Sequence, residues 1–315
     1  MKRIDIQSAR RRQMVTGLAA LCSGGRALAA EPAAAPTAPA APASASGDCA
    51  HQRAVSRGYA PGPFGQIHYR SAGKPGSKPP LLLLHPSPLS SYVFEVFMVA
   101  ASQDRLVIAP DTPGFGLSDP PSHQPDIADY AAAMLAFVAG LKLGAVDVLG
   151  YHTGSATAVE MALQAPAQVR HLVLVGASLF NEAELAAFKR LYVERRIDDI
   201  PAALGKRWPT FRDRDWRMVC SPARAMNILL ESFRNPDVSR WGHHAALSYP
   251  LEAQMRRLSH PTLVLNPEDD LWAYTGRAAQ LLKNGRVKDL PGWSHGFLDS
   301  QAGEVATMLD AFLAS

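Results

Sequence analysis

The sequence predicts an α/β fold, a mostly parallel sheet with helices on both faces and a helical insertion. Three observations carry this. From about Ala54 to the end, strand and helix signals alternate along the chain. Several strand candidates are unbroken apolar runs, such as Leu81-Leu82-Leu83-Leu84, as expected of strands buried on both faces. Residues 176–261 carry helical signals and no clear strand, which predicts an insertion at about 179–255 rather than a second sheet.

Residues 1–29 read as an export signal. They hold Lys2, Arg3, Arg10, Arg11, Arg12 and Arg26 against Asp5, a net +5 in a chain of net +4. The remainder is therefore near −1, and net charge implies no nucleic-acid-binding surface. Arg11-Arg12-Gln13-Met14-Val15 follows the twin-arginine pattern, a weakly apolar segment runs from Met14 to Gly25, and Ala27-Leu28-Ala29 forms an A-x-A cleavage site. The expectation is delivery to the periplasm with no stable membrane anchor after cleavage, since no apolar run is long enough to span a bilayer. Residues 30–53 begin with an Ala/Pro-rich stretch lacking any periodic apolar face and read as a linker. Cys49 and Cys220 remain after cleavage; an oxidising compartment would let them pair, and the sequence leaves pairing open.

Residues 54–315 form the folded domain. Tyr59–Arg70 reads as an opening hairpin with Pro and Gly in its turn, its second strand at Gln66–Arg70. Further strands are expected at Pro80–His85, Arg105–Pro110, Val146–Leu149, Leu172–Val175, Thr262–Leu265 and Val287–Leu290. Helices are expected at Ile127–Leu143, Ser155–Gln164 and Ala302–Leu313, and within the insertion over Asn181–Leu204 and Pro222–Phe233.

Four motifs stand in order along this domain. Leu81–Phe94 runs from a strand into His85-Pro86-Ser87-Pro88. Ala109–Pro121 reads Asp111-Thr112-Pro113-Gly114-Phe115-Gly116-Leu117-Ser118, whose Asp111 can hydrogen-bond its own loop. Asp147–Ala162 is a strand, a glycine-flanked turn and a helix, with Gly150-Tyr151-His152-Thr153-Gly154 at the turn. Leu263–Trp272 ends a strand in Glu268-Asp269-Asp270, and Leu290–Phe297 carries His295 ahead of the last helix.

From Arg57 to Phe312 this chain resembles the α/β-hydrolase fold family, specifically lid-bearing members related to epoxide hydrolases, haloalkane dehalogenases and carbon–carbon bond hydrolases. The turn matches the family's G-x-S-x-G, with His152 where the nucleophile stands. The resemblance implies His152, Asp270 and His295 as the catalytic set, with Asp269 the alternative acid by a one-residue shift. It implies an oxyanion hole from the backbone N–H groups of Ser87 and Thr153, and a structural Asp111. Pro86 replaces the family's glycine, and its missing N–H and fixed φ alter that turn while leaving the Ser87 donor. His85 reads as turn architecture. His243-His244 have no carboxylate or cysteine at ligand spacing and read as part of the lid or its lining.

A neutral histidine is itself a nucleophile and needs no base to strip a proton first. It cannot form the alkyl ester that dehalogenases and epoxide hydrolases make on a carboxylate. The expectation is a cofactor-independent hydrolase, without metal, acting on a small, mostly apolar ester, lactone or related carbonyl substrate. Two alternatives stand beside it: a lyase or isomerase working by acid–base chemistry, and a non-catalytic ligand-binding protein. Substrate identity and oligomeric state are not legible.

Overall fold

Among the described residues, runs of Leu and Val punctuated by Gly and Pro build eight strands in one sheet. The structure is a computed structural model that describes residues 54–194 and 199–314. The expected signal peptide and linker, with Cys22 and Cys49, lie outside the described residues. The strands are β1 (Ser56–Gly62), β2 (Gly65–Ala72), β3 (Leu81–Leu84), β4 (Val107–Pro110), β5 (Val146–Tyr151), β6 (Val169–Val175), β7 (Thr262–Pro267) and β8 (Gly285–Leu290). Their order is β1-β2-β4-β3-β5-β6-β7-β8. β1 and β2 form the expected hairpin, Gly62 opposite Gly65, and β2 runs antiparallel to β4; every other pairing is parallel.

The sheet's helices are α1 (Glu95–Ala101), α2 (Ile127–Gly140), α3 (Thr153–Gln164) and, after the insertion, α9 (Trp272–Thr275), α10 (Phe297–Ser300) and α11 (Ala302–Leu313). The insertion holds α4 (Glu182–Lys189), α5 (Ile200–Thr210), α6 (Pro222–Glu231), α7 (Trp241–Ser248) and α8 (Leu251–Met255). Wider π-helical turns follow α4 at Arg190–Glu194 and α5 at Phe211–Asp215.

The four leucines of β3 show why an unbroken apolar run was needed. Leu82 and Leu84 face a core layer shared with α2 and α3, while Leu81 and Leu83 face the opposite layer with α1 and α11. Period-two alternation thus feeds two cores from one strand. β8 lies at the sheet's edge and is largely exposed, carrying Arg286, Lys288 and Asp289, which discourages pairing with another sheet.

The chain adds β4 on one side of β3, then returns to place β5 on the other. That reversal opens a crevice beyond the carboxyl ends of β3 and β5, where a parallel sheet of this kind binds ligands. Four short segments converge there: the turn after β3, the turn after β5, and the loops after β7 and β8. Cys220, in the insertion, is disulfide-bonded; the remaining cysteines of the chain, Cys22 and Cys49, are not among the described residues.

Candidate active site

His152 sits at the apex of the turn between β5 and α3, with φ 50° and ψ −108°. This is a strained position for a residue with a side chain, and such strain costs on the order of 1–3 kcal/mol. Close packing enforces the turn. A Cβ on Gly150 would overlap the Gly154 carbonyl, and one on Gly154 would overlap the Leu84 carbonyl. The His152 N–H donates to the Val175 carbonyl at 2.8 Å, and its own carbonyl accepts from Ser155 N–H at 2.8 Å. The imidazole is thereby pushed out of the sheet at the amino end of α3.

The tautomer of His152 follows from its partner. Nε2 lies 2.8 Å from Asp269 Oδ2, and a carboxylate can only accept, so Nε2 carries the hydrogen. Nδ1 then holds the lone pair, and among the described residues no hydrogen bond reaches it. The Asp269 side chain is only 1% exposed, and its other oxygen accepts from Leu271 N–H at 2.8 Å. Gly176 leaves room for the ring beside the end of β6, since a Cβ there would meet His152 Cδ2 at 2.6 Å.

His295 forms a second pair. Its Nε2 is 3.1 Å from Asp270 Oδ1 and its Nδ1 is 2.9 Å from the Tyr151 hydroxyl. The two imidazole rings stand 5.3 Å apart, centroid to centroid. Trp216, from the insertion, stacks on the outer face of His295 at 5.2 Å. Burial disfavours the His295 imidazolium, but the hydrogen bond to Asp270 and the charges of Asp269 and Asp270 outweigh it, so its pKa is raised above 6.5. For Asp270 the cost of enclosure is exceeded by the hydrogen bond from His295 and the proximity of His152, which hold the carboxyl well below the usual range. Tyr151 is 1% exposed; burial first, then the two aspartates, pushes its phenol well above 10 and keeps it a donor.

The insertion also reaches this group. From the π-helical turn after α4, Tyr192 donates to Asp270 Oδ2 at 3.1 Å and stacks on His243 of α7 at 4.8 Å. Burial and then the positive charge of Arg207 lower the His243 pKa to about 4, so it is neutral at physiological pH. Phe180 and Phe188 extend the same stack. His244 instead binds Gln124.

The turn residues divide by role. Ser87 follows β3, with its hydroxyl packed against Gly242 of α7. Thr153 opens α3, where first-turn N–H groups have no partner within the helix. Ser155, the nearby hydroxyl in α3, is fully buried and donates to the carbonyls of Gly150 and Val175, so it is not available to a substrate. His85 accepts Thr112 N–H at Nε2 and faces the Pro86 carbonyl through Nδ1, holding two turns together. Asp111 is fully buried and accepts from Ser91 N–H, Leu117 N–H and His68.

The structure thus gathers His152, Asp270 and His295 together with Asp269, the alternative acid, and adds Tyr151 and Tyr192. Asp269 and Asp270 are each used, one per histidine. The adjacent acids in "EDD" were the visible signal for this. Tyr151 lies hidden in an apolar strand, and Tyr192 in an insertion without a motif.

A family model described as alpha/beta hydrolase fold matches residues 79–300. An uncharacterized protein of Mycobacterium tuberculosis (strain ATCC 25618 / H37Rv) is 34% identical over 116 residues, 36% of this chain and 34% of the relative. The match therefore spans about a third of that relative's length. A 2-(acetamidomethylene)succinate hydrolase of Mesorhizobium japonicum is 29% identical over 235 residues, 69% of this chain and 79% of its own. Among solved structures, the esterase RhEst1 from Rhodococcus sp. ECU1013 superposes with TM-score 0.70 at 22% identity, covering 82% of this chain and 99% of that one. The enol-lactonase from Burkholderia xenovorans LB400 gives TM-score 0.69 at 19% identity, covering 82% and 100%. At these identities the superpositions show the fold.

Proposed function

The chain belongs to the α/β-hydrolase fold family, and from that premise we propose a cofactor-independent hydrolase whose nucleophile is the Nδ1 nitrogen of His152. The substrate class is a small, mostly apolar ester, lactone or related carbonyl compound. One observation carries the reading: Asp269 binds the Nε2–H of His152, at the apex of the turn, and so leaves the lone pair on Nδ1, which no hydrogen bond among the described residues reaches.

The steps follow from the geometry. Nδ1 attacks the carbonyl carbon, and the carbonyl electron pair moves onto its oxygen. Backbone N–H groups of Ser87 and Thr153 are the proposed donors to that oxyanion. The C–O bond then breaks, and the leaving oxygen takes a proton from the His295 imidazolium. The acyl group remains on His152 as an acylimidazolium, whose charge Asp269 stabilises through Nε2–H. Water attacks the acyl carbon, passing a proton back to His295; the acyl–nitrogen bond breaks, and acid is released.

Both nitrogens of His295 are already bonded, so it serves the substrate by releasing one. The Asp270 bond is the longer, 3.1 Å against 2.9 Å, and its carboxylate is 39% exposed. Nε2 is therefore the nitrogen that turns to the substrate. Helices over residues 179–255 act as a lid, supported by the contacts of Trp216 and Tyr192 with the site. Export to the periplasm is supported by the sequence signals and by a disulfide at Cys220, a bond favoured in oxidising compartments.

Two acid–histidine pairs side by side also suit removing one proton while delivering another, which is the chemistry of a lyase or isomerase. A panel of activated esters and lactones separates the readings. Hydrolysis should fall by at least about a hundredfold in His152→Ala and in His295→Ala, and mass spectrometry of quenched wild type should find the acyl group on His152. Turnover that survives His152→Ala but is lost in His295→Ala would sink the covalent route.

A further inference from the structure

We infer that His152, Asp269, Asp270 and His295 form a binding site for one divalent first-row transition ion, of which zinc is the type. The four offer one ligand atom each, all within 4.8 Å of one another. Around a tetrahedral ion with bonds of about 2.0–2.1 Å, ligand atoms lie about 3.3 Å apart. Here His152 Nε2 and Asp269 Oδ2 are 2.8 Å apart, and His295 Nε2 and Asp270 Oδ1 are 3.1 Å apart. An ion between the pairs draws them together by side-chain shifts on the order of 1 Å or less. Two imidazoles and two carboxylates suit zinc and its neighbours rather than a hard alkaline-earth ion.

What raises this above a chance cluster is the support behind each ligand. Asp269 offers Oδ2 while Oδ1 is held by Leu271 N–H. Asp270 offers Oδ1 while Oδ2 is held by Tyr192. His295 offers Nε2 while Nδ1 is held by the Tyr151 hydroxyl, which can accept as well as donate. Three of the four ligands are therefore oriented by partners on their far side, the arrangement that fixes metal ligands in built sites. A divalent ion would also neutralise both adjacent carboxylates at once.

The ion would silence the nucleophile, a consequence that rests on the reading of His152 given above. A neutral imidazole carries one N–H. With the metal on the Nε2 lone pair, that hydrogen stands on Nδ1 and the Nδ1 lone pair is gone.

The test titrates ZnCl2 into the full-length, EDTA-stripped protein by calorimetry, and CuCl2 under electron paramagnetic resonance. Wild type should take up one ion per chain, with a copper spectrum showing two imidazole nitrogens. His152→Ala and Asp269→Asn should each weaken zinc at least about a hundredfold, and Tyr151→Phe about tenfold, as loss of an outer partner does. His123→Ala, on a side chain 57% exposed, should leave it unchanged. Absence of stoichiometric uptake, or equal affinity in His152→Ala and wild type, overturns the site. If a variant fails to fold by circular dichroism, the wild-type nitrogen count decides: two supports the site, none or one overturns it. Zinc uptake without any ester turnover would fail the hydrolase reading and leave the metal site standing. Turnover undiminished in zinc-loaded protein would overturn the silencing.

Discussion

His152 and His295 sit 5.3 Å apart yet have opposite assignments, because each is hydrogen-bonded to a different carboxylate. Asp269 fixes which nitrogen of His152 is bare, whereas Asp270 favours the charged form of His295. In the proposed route the His295 imidazolium feeds the leaving group, so kcat/KM should have an alkaline limb set by its raised pKa. Replacing Asp270→Asn removes the hydrogen-bonded charge, and that limb should move to lower pH; an unmoved limb in a pH–rate profile would assign the proton to another group. The same shift acts on stability. A histidine whose folded pKa lies above its unfolded value of about 6.5 stabilises fully below that pH, and the contribution fades as pH rises through the folded value. Little of this pairing is legible in the sequence. Two neighbouring aspartates are interchangeable letters until the loop's path decides which histidine each one meets.

The turn after β4 shows how one element positions another. Asp111 accepts from Ser91 at the start of the helical segment following β3, from Leu117 in its own loop and from His68 on β2. It thereby ties the loop after β4 to the segment that carries Ser87. Burial opposes its charge, but the bonds from His68 and Ser91 and the nearby His85 prevail, bringing its pKa from 3.8 to about 2. A depressed carboxylate stabilises fully above its unfolded pKa and loses that contribution as pH falls towards the folded one. Here that is on the order of 2 kcal/mol, complete above about pH 4 and roughly halved near pH 3. Urea melts of wild type and Asp111→Asn should differ by at least this much at pH 6, with the gap narrowing by about 1 kcal/mol at pH 3; a pH-independent gap would remove Asp111's charge from the account. At this scale the sequence is far more informative. Apolar runs, hairpin glycines and the spacing around Gly150 and Gly154 are dictated by burial and backbone contact, which leave direct marks in residue type. The observed strands agree with those expected to within a few residues, β5 and β6 being longer because Tyr151 and Val169 also pair in the sheet. The insertion was legible only as helical, and the π-helical turns that carry Tyr192 and lead into Trp216 follow from no local signal.

Across the whole molecule, a buried cation is among the groups that fasten the insertion to the sheet domain. Arg224 of α6 is 5% exposed, bonds Asp299 of α10 through Nε, bonds the Tyr92 carbonyl at 3.1 Å, and lies 3.5 Å from Glu95 of α1. Glu95 in turn holds Arg70 of β2 at 2.9 Å. The network therefore runs from the insertion's α6 to β2 of the sheet through buried side chains, with the exposed Arg57 also reaching Glu95. Its net worth over an apolar substitute is small, since desolvating the charges offsets most of their attraction. Breaking it is another matter. Arg224→Ala leaves Asp299 buried without its partner, a loss of about 3–5 kcal/mol. In a domain of this size that should lower Tm by about 6 °C or more. The paired change Arg224→Met with Asp299→Leu removes both charges and fills the space, so it should recover most of the loss, Glu95 keeping Arg70. Calorimetry of the two variants decides between a fastening and a bystander. A double variant as unstable as Arg224→Ala would mean that packing, not charge, joins the two parts. If Tm recovers but ester turnover does not, the ion network aligns Trp216 and Tyr192 over the histidines, a role that an apolar plug of equal volume cannot supply.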